Sequence, residues 1–405
     1  MQQEHIVILG GGYGGLRAVE HLVGDPRFRI TLVDRHPYHY LQTEAYGYIA
    51  GRFDIHDITI DLANWCRGFG SRVRFVQAEI TGIDPEARTV LLEEERLGYD
   101  SLIIATGART NFFAFIKGLR ENSYGVKNLQ RAFAFRQTFE QLVYTKVEEP
   151  RDPAPGELHI AIGGAGLSGV EIAAEMADVI EKHHKTLGTN AKKIRITLID
   201  AAPSILPGMS DYIVRSTTMR LESLGIRILT NAFIDRVEDG IIHLKDETRL
   251  PYCFMIFTGG IIANTPASEP ARETNRLGQI LPDAYLRLAP HMNVYAVGDC
   301  VELRDTAGNL LPPTAQTAEK SAEYVADAIK KRLEGRPVAP FHAKVDGVFV
   351  ALGGRYAVGE LFGVIRVKGY TAYLLKKLIT KGYYLGLKLR INTGFKKRSA
   401  VHEIN

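Results

Sequence analysis

Residues 5–9, His-Ile-Val-Ile-Leu, form a short apolar run that stops at Gly10. Apolar positions then recur at helical spacing from Leu16 to Val23, and a second apolar run from Arg29 to Val33 ends at Asp34. A run without polar alternation fits a strand covered on both faces, so this order predicts strand, glycine turn, helix, strand. The order repeats. Residues 158–162 lead into glycines, helical spacing runs from Val170 to about His184, and residues 194–199 end at Asp200. Two copies of one strand–helix–strand unit predict an α/β protein with two Rossmann-like dinucleotide-binding domains.

Residues 99–107 read as a buried strand ending in a turn, and residues 293–299 read the same way after the second copy. Pro153 and Pro155 mark a linker before the second unit. Thr314, after Pro312 and Pro313, is a candidate N-cap for a helix from Ala315 to about Leu333, which Glu334 and Gly335 end. Residues 336–365 carry β-branched and aromatic positions broken by Gly353, Gly354 and Gly359, which predicts strands.

Composition narrows the class. The chain has 405 residues, 45% apolar and 24% charged, which excludes collagen, low-complexity and disordered scaffolds. Cys66, Cys253 and Cys300 lie far apart, so neither a disulfide framework nor a zinc ribbon is expected. The first residues read as a buried strand rather than a signal peptide, and no apolar run reaches membrane-span length. The default expectation is therefore a cytosolic location, with membrane association open.

The net charge of +4 is unevenly spread. Residues 366–405 hold Arg366, Lys368, Lys376, Lys377, Lys381, Lys388, Arg390, Lys396, Lys397 and Arg398 against Glu403 alone. Ten cations and one acid give +9, which leaves −5 for the rest. Tyr370, Tyr373, Leu374 and Leu378 form one helical stripe, with Lys376, Lys377 and Lys381 expected opposite it. That pattern suits an interfacial helix on anionic lipid, with packing on the body or on a second copy as the plainer alternative. No recognition motif accompanies the charge, so nucleic acid is not expected as a partner.

The first glycine motif is Gly10-x-Gly12-x-x-Gly15, and Asp34 follows Gly15 by nineteen positions. Glycines of this spacing allow a tight turn, close approach of backbone to a pyrophosphate, and close packing of helix on strand. The acid at that distance is placed to accept from a ribose 2′-OH. The second motif is Gly164-x-Gly166-x-x-Gly169, with Asp200 thirty-one positions on. An acid there favours NADH over NADPH by repelling a 2′-phosphate, or else it only closes the strand. Glu171, two residues into the second helix, is either a dipole-stabilising acid or a functional one facing the cofactor. Thr106, Gly107 and Asp299 fit a flavin-binding domain, and the helix from Ala315 could aim its N-terminus at the ring.

Taken together, the chain resembles the two-dinucleotide-domain flavoprotein reductases, and within them the type II NADH dehydrogenases, which are non-pumping NADH:quinone oxidoreductases. The carriers are ILGGGYGG, VDRHPYHYLQTEAYGYIAG, DSLIIATGARTNFF, GGAGLSGVEIAAEM, VYAVGDC, PPTAQTAEKSA and ALGGRYAVGE with the basic tail. The resemblance implies a noncovalent FAD contacted by Gly10, Gly12, Tyr13, Gly14, Gly15, Asp34, Arg35, Gln42, Ile80, Thr106, Gly107, Asp299, Gln316 and Thr317. It implies NADH at Gly164, Gly166, Leu167, Gly169, Glu171, Asp200, Gly259 and Gly260. It implies catalytic roles for Glu171 and Gln316, and a quinone site at Ala315, Gln316 and Lys320. The family's quinone motif reads AQxAxQxG; here Lys320 and Ala322 depart from it. Disulfide-reductase and sulfide:quinone relatives use paired redox cysteines, which Cys66, Cys253 and Cys300 do not match.

The implied domains are an FAD-binding domain from 1–115 and 276–335, a connector at 116–156, an NADH-binding domain at 157–275, and a C-terminal region at 336–405. The expected activity is hydride transfer from NADH to FAD, then two-electron reduction of a quinone. The expected location is peripheral on the cytoplasmic side of the membrane; no metal is expected, and a homodimer stays open. Two other readings remain: a soluble NADH-dependent reductase of a ferredoxin- or rubredoxin-type carrier, and a nucleotide-binding redox sensor without turnover.

Overall fold

The computed structural model describes residues 3–141, 143, 158–187, 194–264 and 273–392. The expected linker at Pro153 and Pro155 and the cations Lys396, Lys397 and Arg398 lie outside the described residues.

The first glycine motif hangs from a six-stranded sheet. Glu4–Leu9 lies at its centre, between Phe28–Asp34 and Ser101–Ile104, and pairs with both in parallel. Val73–Gln77 flanks one side, and His291–Ala296 with Arg287–Leu288 flanks the other. Ile6, Val7, Ile8 and Leu9 have no exposure, so the strand is covered on both faces, as its unbroken apolar run requires. The second motif hangs from a parallel four-stranded sheet in the order Arg227–Leu229, Ile194–Ile199, Leu158–Gly163, Phe254–Phe257.

The helices after the two turns start earlier than the apolar spacing shows. They span Tyr13–Leu22 and Leu167–Leu187. The glycine-rich first turn carries no apolar signal, so hydrophobic periodicity detects each helix one turn late. Tyr13–Leu22 packs against Ala315–Leu333, where Thr314 is the N-cap and its hydroxyl accepts from Thr317 N–H.

Gly347–Ala351, Ala357–Leu361 and Ile365–Gly369 form an antiparallel sheet. At its first turn Gly353 has φ +78, and a Cβ there would sit 2.5 Å from the Ala174 carbonyl oxygen. The turn therefore fits against Leu167–Leu187 only as glycine. The helix Tyr370–Asn392 follows, with Ala372 and Leu387 buried and Leu374, Leu378, Leu385 and Leu389 exposed. Among the described residues, no helix is long and apolar enough to cross a membrane.

One expectation for this helix is corrected. Lys376 and Lys377 do not face outward. Lys377 Nζ pairs with the buried Glu44 at 2.8 Å, and Lys376 pairs with the buried Glu171. Two carboxylates removed from water demand cations, and the long lysine stems deliver them across the Tyr46 ring.

Candidate active site

The two glycine turns are built alike. Gly10 has φ +110 and Gly164 has φ +108. A Cβ on Gly10 would lie 2.3 Å from the Ala105 oxygen, and one on Gly164 would lie 2.5 Å from Gly259 N. The last glycine of each motif has its own helix packed onto the turn: a Cβ on Gly15 or Gly169 would overlap the carbonyl oxygen of Gly10 or Gly164. The middle glycines differ. Nothing lies within 4 Å of a Cβ on Gly12 or Gly166, so those two turns are open on the side where a ligand would approach.

Each strand-end acid closes its own turn. Asp34 Oδ2 accepts from Gly11 N–H at 2.6 Å, and its Oδ1 from His36 N–H at 2.7 Å. Asp200 repeats this with Ala165 N–H at 2.5 Å and Ala202 N–H at 2.7 Å. Burial raises the Asp34 carboxyl above its usual range, against the pull of those two N–H groups.

A cavity of about 760 Å³ joins the two halves. Its walls include Gly10, Gly12, Tyr13, Gly14, Asp34, Arg35, Gln42, Thr106, Gly107 and Asp299 from the flavin expectation. They include Gly166, Leu167 and Glu171 from the nicotinamide expectation, and Ala315 from the quinone expectation. Gly15, Gly164 and Gly169 stand behind the turns as packing. Ile80, Asp200, Gly259, Gly260, Gln316, Thr317 and Lys320 are not among the residues lining this cavity. Thr317 Oγ1 instead donates to the Pro312 carbonyl at 2.7 Å within the helix cap.

Such a cleft fits FAD on its own features: glycine turns open at the middle positions, a carboxylate at a strand end, and the free N–H groups of the helix at Thr314. At the cleft's far end, Glu171 Oε1 accepts from Ala351 N–H at 2.9 Å and from Lys376. Burial raises the Glu171 carboxyl above its usual range, and the Lys376 ammonium pulls the other way. The Glu171 side chain lines the cleft and is ion-paired across the fold.

Gln316 and Lys320 meet outside the cleft walls. Gln316 Oε1 accepts from Asp346 N–H at 3.1 Å, and its Nε2 donates to Asp346 Oδ2 at 3.3 Å. Lys320 Nζ pairs with the same carboxylate at 2.7 Å and donates to the Lys344 carbonyl at 2.6 Å. The lysine that replaces the motif's second glutamine is thus held by a residue from the C-terminal region.

Four residues were not read from the sequence as belonging to the cleft or its support. Lys127 pairs with Asp299 at 2.8 Å inside the cleft. Lys376 reaches Glu171 from the tail. His39 Nδ1 donates to the Gly11 carbonyl at 3.0 Å, so its Nε2 accepts from Tyr383 O–H at 3.2 Å. Burial lowers His39 to about 4, which keeps the ring neutral. Tyr13 meets His39 edge-on at 4.9 Å between ring centroids and lies tilted against Tyr383 at 5.2 Å. For His39, the aromatic density of DRHPYHYLQ was the available signal.

The cysteines do not form a redox pair: all three are free, Cys66 and Cys300 are buried, and none lines the cleft. Burial pushes the Cys66 thiol up to about 12, far from a reactive thiolate.

Against known proteins, the profile of the pyridine nucleotide-disulphide oxidoreductase family matches residues 4–322. The type II NADH:quinone oxidoreductase of Staphylococcus saprophyticus is 26% identical over 383 residues, covering 93% of this chain and 94% of the relative. That of Staphylococcus haemolyticus is 28% identical over 385 residues with the same coverage. In fold, NDH2 from Plasmodium falciparum in complex with NADH superposes with a TM-score of 0.83 at 21% identity, covering 98% of each chain.

Proposed function

The chain belongs to the pyridine nucleotide-disulphide oxidoreductase family, and from that premise we propose that it is an NADH:quinone oxidoreductase carrying noncovalent FAD. The observation that carries this reading is the single cleft running from the first glycine turn to Glu171 and Lys376, with no thiol pair along it. When bound, the flavin would accept hydride from NADH and pass two electrons to the quinone. The chain's own residues do the rest. The turns at Gly12 and Gly166 leave room for pyrophosphates; Asp34, on the cleft wall, stands to accept from a ribose hydroxyl, and Asp200 repeats that arrangement at the second turn. Glu171, held by Lys376, is the proton-bearing group at the junction of the two halves. Gln316 orients the acceptor; Asp346 holds its amide, and Lys320 pairs with that same carboxylate.

The domain boundaries 1–115 with 276–335, and 157–275, are supported by strand membership, since strands from both ends of the first pair share one sheet. The C-terminal helix holds the enzyme on the membrane surface. Its support is the exposed face of Leu374, Leu378, Ile379, Leu385 and Leu389, which a soluble carrier-protein reductase would not need. We place that face on the cytoplasmic side, where NADH is available.

Anaerobic titration tests the activity. NADH should bleach the protein's yellow colour, and a short-chain quinone should restore it. Bleaching that no quinone reverses would remove the acceptor half of the proposal.

A further inference from the structure

Between the helices Tyr13–Leu22 and Tyr370–Asn392 lies a second cavity of about 510 Å³. Arg17, Glu20 and His21 form one wall; Gly382, Tyr383, Gly386, Leu387 and Arg390 form the other. A Cβ on Gly382 or Gly386 would meet nothing within 4 Å, so the groove is open because those positions carry no side chain.

Arg390 is the unusual group. It is 7% exposed, and its guanidinium lies over the Phe69 ring at 3.5 Å and near the Trp65 ring at 6.0 Å. Its Nε has no hydrogen-bond partner among the described residues. Glu20, on the facing wall, meets Arg17 at 3.5 Å, and Glu323 accepts from Arg17 Nε at 2.6 Å, so both carboxylates pair with Arg17. Burial lowers the Arg390 guanidinium to about 10, opposed only by Glu20. A buried cation that forms no ion pair among the described residues is costly, and this one lines a cavity.

Leu378, Gly382 and Leu389 share a helix face at i, i+4 and i+11, so the cavity borders the exposed apolar stripe. An anion with an apolar tail matches both features; a free anion matches one.

We propose that this cavity binds the phosphate of a phospholipid headgroup, with Arg390 as its main donor and the acyl chains along Leu378, Leu385 and Leu389. It would be a discrete site, one lipid per chain, beyond general attraction to an anionic surface. It rests on the membrane-attachment reading above.

The probe is water-soluble dihexanoyl phosphatidylglycerol, titrated into the full-length flavoprotein. The unmodified enzyme should bind one per chain. Arg390→Met keeps the apolar packing and removes the charge; Gly386→Leu fills the groove and keeps the charge. Each should weaken binding about tenfold or more, while flavin content and bleaching by NADH stay unchanged. Unchanged binding in both variants overturns the site. Inorganic phosphate binding as tightly as the lipid overturns the lipid assignment. A raised KM for a water-soluble quinone in Gly386→Leu, with lipid binding intact, assigns the cavity to the acceptor and also overturns it. Failure of membrane attachment would look different: the unmodified enzyme would not float with phosphatidylglycerol vesicles even though it binds the soluble lipid.

Discussion

Lys376 closes on Glu171 across 205 residues of chain, so a cation from the C-terminal helix sets the charge at the inner end of the nucleotide cleft. The C-terminal helix and the cleft are therefore coupled through an ion pair. Lys376→Met leaves Glu171 buried without its cation, which raises that carboxyl further. Turnover near neutral pH should fall, and its pH profile should move toward alkaline pH. Breaking the buried pair should cost about 3–5 kcal/mol of stability. Glu171→Gln in the same chain should recover part of that loss. Thermal melts and quinone-reductase pH profiles of the two single variants and the double variant read this out; additive losses would show that the pair is not coupled.

Glu175 gives a pH-dependent stability term. Burial raises its carboxyl to about 7, with Arg52 opposing. The folded state holds the proton more tightly than the unfolded state. The favourable term is therefore full below the ordinary carboxylate range and is lost as pH rises through about 7. Unfolding free energy should drop by up to about 3 kcal/mol across that window. Glu175→Gln should flatten the drop, measured by urea unfolding at a series of pH values.

The two kinds of glycine in the first turn should separate in mutation. Gly10→Ala meets the Ala105 oxygen at 2.3 Å with φ at +110, so it should impair folding itself. Gly12→Ala has open space and should fold, but should carry much less flavin. Flavin absorbance per chain alongside the melting temperature distinguishes them.

Asp200 should decide the nucleotide. Asp200→Asn keeps an acceptor for Ala165 N–H and removes the charge. NADH should bind about tenfold or more weakly, through loss of a charged hydrogen bond, and NADPH should be less penalised. The ratio of kcat/KM for the two nucleotides checks this; an unchanged ratio would leave Asp200 as a turn residue.

Membrane attachment is best tested with point variants. Removing 366–405 would also take Lys376 from Glu171 and Tyr383 from His39. Leu378→Glu with Leu385→Glu changes only exposed positions. It should abolish flotation with anionic vesicles and reduction of long-chain quinones, while a water-soluble quinone is still reduced. High salt alone should not release the unmodified enzyme, because apolar insertion is insensitive to screening.

Much of the fold was legible because it depends on local rules. A doubly covered strand must be apolar throughout, and a turn that cradles phosphate needs glycine at fixed intervals, so Gly10 to Asp34 and Gly164 to Asp200 announce themselves. Thr314 as a cap is equally local. The start of each helix was obscured because glycines carry no periodic signal.

What the sequence could not decide is which side of the C-terminal helix turns inward. Helical periodicity separates faces but does not orient them, and a lysine stem can lie on lipid or cross apolar surface to a buried acid. Docking of Tyr370–Asn392 settled this, bringing Lys376 to Glu171 and Tyr383 to His39 across 205 and 344 residues. Lys127 reaches Asp299 across 172 in the same way. These pairings exist because the buried acids Glu171 and Glu44 and the buried ring of His39 need partners. Desolvation, which only the assembled tertiary structure creates, is what makes that need.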